Sequence, residues 1–575
     1  MYSSKLNVLQ TVALFKEWGI RHIVISPGSR NAPLVHSFSQ DTFFDCRTVL
    51  DERDAAFKAL GMIQGLRRPV AICCTSGSAL LNYAPAVAEA FYQKLPLIVL
   101  SADRPSAWIG QMDGQTLPQP GAYGRLVKLA VTLPEFEAGQ PEPLWHCNRL
   151  LNEALLAATG ADDRLAAGLA GPVQINIPLS EPLFNYDALK LPPVRRIKAA
   201  VTRLATDSPG WAARFVAAPK KIIVVGQMFR RPALAKTLAG LAGQTGTVAL
   251  AEHLSNVSLA GPEIITNFDA VLAALPPERA PDFAPDLVIS LGGHLVSKRL
   301  KQFLRCHPPR EHWLLSPDGQ VADVFQALTD LIPGDPLTFL DGLLAELTQR
   351  VDGPGGDFQL HWREAAGQVG QPPSDLPFSD LTALGALLKE LPDGCGLHLA
   401  NSLPVRNAQL YPLPPGVEVF GHRGLSGIDG TLAGAVGLAS VYDGPVYLAL
   451  GDLSFFYGLN ALCLGPSPAN LRIFLLNNGG GGIFHTLPGL PGSASLHDYV
   501  AAGHRSSAAA WAAAAGLDYA GVDSQPALSR ALKVFTNEKA AGGQAQLLEV
   551  FTDLEPSARV LTDYYHSLKL YQGAK

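Results

Sequence analysis

The sequence predicts an α/β protein built from three parallel-sheet domains, and three observations lead there. Short apolar runs of strand character end in small-residue turns and pass into helices, the grammar of parallel βαβ units. That grammar occurs at both ends of the chain, and a separate set of such runs lies between them. The length of 575 residues accommodates three or four domains at about 150 residues each.

The elements follow in order. Residues 20–25 form a strand run ending in SPGSR (26–30), and residues 48–50 lead into Asp51, Glu52, Arg53 and an amphipathic helix. PVAICC (69–74) ends in the turn TSGS, a helix runs to about Gln93, and PLIVLSA (96–102) returns as a parallel neighbour. Such a crossover is right-handed. Toward the other end, PVYLALGD (445–452) precedes a helix through Leu464, and LRIFLLNN (471–478) returns in the same way. The two outer parts therefore read as structural cousins. Between them KKIIVVG (220–226), TVALAE (247–252) and DLVISLGG (286–293) are buried-strand runs. Domains are expected at 1–190, 200–350 and 375–575, joined by the Pro-rich run 191–196 and the Gly/Pro stretch 352–377. The Ala-rich residues 506–515 are a plain helix former.

Composition narrows the function. Apolar residues make up 47% and charged residues 17%, the latter below the roughly 25% usual for soluble domains, which points to large buried surfaces. The net charge of −5, without long runs of either sign, argues against nucleic-acid wrapping or polybasic membrane binding, so anion recognition must be local. The first residues are punctuated by Lys5, Lys16 and Glu17, without a signal-type core, and no stretch reaches 18 uninterrupted apolar residues. A cytoplasmic protein without stable membrane insertion is expected. Seven irregularly spaced cysteines with no CxxC read as buried thiols in a reducing compartment. No HExxH, HxxxH, GxSxG or P-loop pattern occurs, so zinc hydrolysis, α/β-hydrolase chemistry and P-loop phosphoryl transfer lack support. His22, His422 and His485 are taken as structural.

Chemistry enters at Asp452, at the C-terminal end of a buried parallel strand, where open α/β sheets bind ligands. Asn478 ends the returning neighbour, and adjacent strands lie about 5 Å apart. The carboxylate and the amide oxygen can thus converge on one hard cation. Glycines 479–482 allow the backbone to approach a diphosphate and to supply a carbonyl.

Gly451-Asp452, a helix, and then Asn477-Asn478 after 24 intervening residues is similar to the signature of the thiamine-diphosphate enzymes. The third position is Leu453 where Gly is common, and one family characteristically reads GDLS there. SPGSR (26–30), DER (51–53), TSGSA (75–79), SADRP (101–105), NSLPVR (401–406), RGLSGIDG (423–430) and GDLS (451–454) occur in order. Together they resemble the 2-succinyl-5-enolpyruvyl-6-hydroxy-3-cyclohexene-1-carboxylate synthase family of menaquinone biosynthesis. The resemblance spans both outer domains and reaches the middle through SKR (297–299).

The resemblance implies pyrimidine-binding, central and diphosphate-binding domains, thiamine diphosphate with Mg2+ or Mn2+, and the substrates 2-oxoglutarate and isochorismate. The first would be decarboxylated and the resulting carbanion equivalent added to the second. It implies a homodimer or a dimer of dimers, since Glu52 in such enzymes serves cofactor held by the other subunit. There Glu52 faces the aminopyrimidine ring and favours its imino tautomer. Asp452, Asn478 and Gly480 are the implied metal ligands, and Ser78, Ile428, Leu453, Ser454, Gly481 and Ile483 join them and Glu52 around the cofactor. Arg30 and Gln115 are the further catalytic candidates. Both substrates are dianions, and arginine recognises carboxylates bidentately. The implied substrate set is Ser29, Arg30, Arg104, Gln115, Lys298, Arg299, Ser402, Arg406 and Arg423, with Ile483, Phe484 and Leu487 as apolar wall. The run Gly479 to Gly482 departs from the more usual arrangement with an additional Asn and a Gln. The alternative is another thiamine-dependent 2-oxo acid lyase or an acetolactate-synthase-like enzyme, against which SPGSR and SADRP speak. A silent scaffold paralogue is disfavoured by the presence of Glu52, Asp452 and Asn478 together.

Overall fold

The computed structural model describes residues 1–160, 169–199, 210–257, 263–348, 357–487, 489–537 and 543–570. It contains three six-stranded sheets, all parallel. The first runs β2-β1-β3-β4-β6-β5, with β1 His22–Ile25, β2 Asp45–Thr48, β3 Val70–Cys74, β4 Leu97–Asp103, β5 Leu129–Thr132 and β6 Val173–Pro178. The second runs β12-β11-β10-β7-β8-β9, with β7 Lys221–Val225, β8 Val248–Ala251, β9 Ile264–Ile265, β10 Leu287–Leu291, β11 Glu311–Ser316 and β12 Asp330–Pro333. The third runs β14-β13-β15-β16-β18-β17, with β13 Gly396–Leu399, β14 Glu418–Phe420, β15 Val446–Gly451, β16 Leu471–Asn477, β17 Asp518–Val522 and β18 Gln546–Phe551.

Central strands are apolar on both faces because helices cover both, as parallel sheets require. In the second sheet Ile223, Val225 and Ile289 join one buried cluster with Trp313. Their neighbours Ile222, Val224 and Val288 join another with Trp362, which is the period-two alternation of a strand. The second sheet has the strand order of doubly wound nucleotide-binding domains, whereas the first and third share a different order with each other. In each sheet the chain reverses direction beside its first strand, and ligands bind at the C-terminal strand ends there. The motif loops follow the strands that flank these points: SPGSR after β1, TSGSA after β3, NSLPVR after β13 and GDLS after β15.

The chain divides into two compact units. One gathers Met1–Thr202, His422–Asp443 and Ser454–Leu471 and holds the first sheet; the other gathers the remaining residues and holds the second and third sheets.

Four expectations need correction. Of the stretch 352–377, residues 352–356 lie outside the described residues, and Asp357–Val369 is a helix rather than linker. It buries Phe358, Trp362 and Ala365, a one-face helical spacing hidden by the flanking glycines and prolines. The helix opening at Asp452 ends at Tyr457, and a 3-10 turn, Leu459–Leu462, follows Gly458. The Ala-rich helix spans only Ala509–Ala514. Cys306 and Cys463 are exposed and Cys46 is half-buried, while Cys73, Cys74, Cys147 and Cys395 are buried; all seven are free thiols. Among the described residues, no helix is long and apolar enough to cross a membrane.

Candidate active site

In the first unit the loops after β1, β3 and β4 crowd together. A Cβ on Gly28 would collide with Thr75, and one on Gly77, at φ +87°, would press on the Gln115 backbone at 3.2 Å. Arg30 is buried and donates Nη1 to the Leu179 carbonyl at 2.9 Å, with Glu181 at 3.4 Å. Arg104 donates Nε to the Gly114 carbonyl at 3.0 Å and pairs with Asp113 at 3.3 Å. Burial and then the neighbouring Arg104 lower the Arg30 pKa against the opposing pull of Glu181 and Asp113. Ser29, Ser78 and Gln115 are exposed beside them, and Gln115 sits at φ +56°, an uncommon conformation for a non-glycine residue.

Glu52 opens the helix Glu52–Leu66, where Asp51 accepts from Arg53 N at 2.9 Å as the cap. Its carboxylate accepts from Asn82 Nδ2 at 3.3 Å. This helix lies against Thr431–Ala439 so closely that a Cβ on Gly61 would fall on the Gly434 carbonyl and one on Gly437 on the Lys58 carbonyl. The glycines thereby fix Glu52's helix against the GIDG segment. There the carbonyl of half-buried Ile428 accepts from Ser454 Oγ at 2.7 Å. Arg423 is buried, and the loop after it is held by buried Glu89, which accepts from Gly424 N at 2.7 Å and Leu425 N at 2.6 Å. Asp54, on the same helix as Glu52, is fully buried, and burial together with nearby Asp51 pushes its pKa up to about 7.

In the second unit Asp452 follows β15 and is 2% exposed. Its Oδ2 accepts from Gly479 N at 2.8 Å and Gly480 N at 2.9 Å, and its Oδ1 from Leu453 N at 2.6 Å. Asn478 Oδ1 accepts from the same Gly480 N at 3.1 Å, so the two side-chain oxygens do converge. The glycine run is pressed onto residues 501–504: a Cβ on Gly480 would stand 2.8 Å from the Ala501 carbonyl and one on Gly479, at φ +84°, 3.0 Å from that of His504. Gly481 N donates to the Ala501 carbonyl at 2.7 Å. His504 lies 3.3 Å from Asp452, whose carboxylate raises the imidazole pKa. Asp380 accepts from the Asn478 amide at 2.6 Å, and burial pushes its pKa up to about 6. The Asp452 carboxylate and the Asn478 amide oxygen, meeting at the Gly480 N–H, are oxygen donors of the kind a hard divalent cation takes together with phosphate.

The same unit contains a cavity of about 530 Å³ that brings together Lys298, Arg299, Arg406, Ile483 and Leu487. Lys298 is exposed at its rim. Arg299 pairs with Asp269 at 2.6 Å and lies 4.0 Å over the Tyr565 ring. Arg406 donates Nη1 to the Ser402 carbonyl at 2.5 Å, and burial lowers its pKa. Ser402 precedes the helix Leu403–Ala408 at φ +74°. Phe484 is absent from the lining: a Cβ on Gly481 would meet its ring at 2.7 Å.

Sequence reasoning missed Glu252, Asp269 and Tyr565. Buried Glu252 accepts from Val296 N at 2.8 Å and Ser297 N at 2.7 Å, and Asp269 accepts from Ser297 Oγ at 2.5 Å. The pair fixes the start of the helix Lys298–Cys306, hence Lys298 and Arg299. Glu252 had the same signal as Asp452, an acid closing an apolar strand run. Asp269 and Tyr565 had none, because their role depends on contacts distant in sequence.

The chain matches the family described as "Thiamine pyrophosphate enzyme, N-terminal TPP binding domain" over residues 10–121 and that described as "Middle domain of thiamine pyrophosphate" over residues 199–343. With three parallel sheets and an aspartate-asparagine pair over a glycine run, this makes it a thiamine-diphosphate-dependent enzyme. It is 46% identical over 571 residues, 99% of this chain and 100% of the relative, to the 2-succinyl-5-enolpyruvyl-6-hydroxy-3-cyclohexene-1-carboxylate synthase of Bacteroides thetaiotaomicron. The protein of that name from Phocaeicola vulgatus is 45% identical over 576 residues, 99% of each chain. That of Desulfotalea psychrophila is 39% identical over 493 residues, 84% of this chain and 88% of the relative. The chain belongs to the 2-succinyl-5-enolpyruvyl-6-hydroxy-3-cyclohexene-1-carboxylate synthase family of carbon-carbon bond-forming enzymes.

Proposed function

We propose that the chain catalyses the reaction for which its family is named: decarboxylation of 2-oxoglutarate and addition of the succinyl carbanion equivalent to isochorismate, in menaquinone biosynthesis. The observation that carries this reading is the cavity with Lys298, Arg299 and Arg406 above the apolar Ile483 and Leu487, in a protein of net charge −5. Asp269 pairs with Arg299, and Glu252 accepts from the Val296 and Ser297 backbone, so Lys298 and Arg406 are the cations that suit the two carboxylates of a dicarboxylate. Arg30 and Arg104, with Ser29 and Gln115 beside them, serve as a second carboxylate-binding group, and Ser402 and Arg423 complete the set.

On this reading Asp452, Asn478 and the Gly480 carbonyl hold Mg2+ or Mn2+ and, through it, the diphosphate. Leu453, Ser454 and Gly481 contribute backbone and hydroxyl contacts to the cofactor, with Ser78 and Ile428 at its rings. Glu52 hydrogen-bonds the aminopyrimidine and holds the proton there. Thiamine diphosphate supplies the electron sink for the carbanion left by loss of carbon dioxide. Ile483 and Leu487 keep water from the reacting carbon. The reading includes a cytoplasmic homodimer or dimer of dimers, with Glu52 serving the cofactor of the partner subunit, and domains at 1–190, 200–350 and 375–575.

The test is an assay with thiamine diphosphate, Mg2+, 2-oxoglutarate and isochorismate, omitting each in turn and identifying the product by mass. Isochorismate loss that needs all four, with the succinyl adduct formed, is the expected result. Carbon dioxide release from pyruvate without an adduct would overturn the acceptor and favour a different thiamine-dependent lyase.

A further inference from the structure

We infer that Asp380 is a positioning residue for the metal-binding amide of Asn478, an inference that rests on reading Asn478 as a ligand. A primary amide presents an oxygen at one end and two donors at the other, and only the oxygen binds a hard cation. Which end reaches the glycine run is settled at the opposite end of the group. There Asn478 Nδ2 donates to Asp380 Oδ2 at 2.6 Å, while Oδ1 accepts from Gly480 N at 3.1 Å. A flipped amide would set oxygen against the Asp380 carboxylate and NH2 against the Gly480 N–H. Both contacts would become repulsive where little water can compensate.

Asp380 is itself immobilised. It is 3% exposed and opens the helix Asp380–Glu390, which Ser379 and Thr382 close with reciprocal capping bonds. Its Oδ1 accepts from Thr552 Oγ1 at 2.5 Å, and its N–H donates to Ser557 Oγ at 3.2 Å. The carboxylate thus has one oxygen committed to Thr552 and the other aimed at Asn478. The Asn478 oxygen is held toward the glycine run before a cation arrives. Groups that orient a metal ligand typically contribute 10- to 100-fold to affinity.

The experiment is Mn2+ binding to the full chain with thiamine diphosphate present, read from the electron paramagnetic resonance signal of free Mn2+. D380A should weaken binding about 10-fold or more. D380N should stay within about threefold, because its amide oxygen still accepts from Asn478 and its NH2 can donate to the Thr552 hydroxyl. Unchanged affinity in D380A, or D380N as weak as D380A, overturns the inference. N478A separates the two readings. If N478A binds Mn2+ like the parent, the ligand assignment fails and the inference with it; weak N478A beside an unaffected D380A overturns the positioning role alone. Should D380A not fold, T552V removes only the hydroxyl that holds Oδ1. About threefold weaker binding is then expected, and no change overturns the inference.

Discussion

The first and third sheets share one strand order, yet the loops after two strands of each differ in charge. After β1 and β4 of the first sheet stand Arg30 and Arg104, cations paired with Glu181 and Asp113, and burial and then Arg104 lower the Arg30 pKa. After β15 and β16 of the third stand Asp452 and the Asn478–Asp380 pair, oxygen donors converging on a glycine run. Topology places both crevices, because ligands bind where a doubly wound sheet reverses. The loop residues decide what each crevice accepts. One is suited to organic anions and the other to a cation that carries anions with it.

The largest effect should come from disabling each sheet's contribution in turn. E52Q and D452A are each expected to lower kcat at least about 100-fold, with Mn2+ binding lost only in D452A. If sites are shared between subunits, mixing the two inactive variants after dissociation should restore about a quarter of parental activity. Half of the random dimers would be mixed, and each would have one intact site. Mixtures that stay inactive would place both residues in sites built within one subunit.

A smaller effect sharpens the contrast between the cationic positions. R406L should raise KM about 10- to 100-fold for its substrate, the worth of a charge-assisted hydrogen bond, with little change in kcat. Steady-state kinetics with each substrate varied in turn would assign that carboxylate. A fall in kcat at unchanged KM would mean that Arg406 acts on the reaction rather than on binding.

The smallest effect is on stability. Asp54 titrates near 7 in the folded chain against 3.8 for the free group, so the folded state binds its proton more tightly. The stability this contributes is present in full below about pH 4 and is lost as pH rises through 7. D54N, which cannot ionise, should therefore gain on the parent between pH 5 and pH 8, by roughly 3 kcal/mol or a Tm shift of about 5 °C. Parallel melting curves at the two pH values would show a gap that stays constant if Asp54 does not titrate in the fold.

How much was legible follows from where each signal lies. Asp452 and Asn478 were readable because both close apolar strand runs, and strand ends that are sheet neighbours must meet. Arg30, Arg104, Lys298, Arg299 and Arg406 were readable from short motifs, although spacing did not say which share a cavity. The structure groups the last three with Ile483 and Leu487 and leaves Phe484 against Gly481 instead. The helix Asp357–Val369 escaped notice because its periodic Phe358, Trp362 and Ala365 stand among glycines and prolines that read as linker.

The sequence by itself determined the parallel class, the strands that lead into SPGSR, TSGSA, SADRP and GDLS, and the side-chain chemistry at their ends, since local periodicity and side-chain chemistry are properties of neighbouring residues. Tertiary structure alone decided that Asp269 and Tyr565 hold Arg299, that Asp380 orients Asn478, and that Gly61 and Gly434 bring two helices into backbone contact. Those partners are 30 to 373 residues apart in the chain, and only folding, which removes water from between them, makes their distances and charges count.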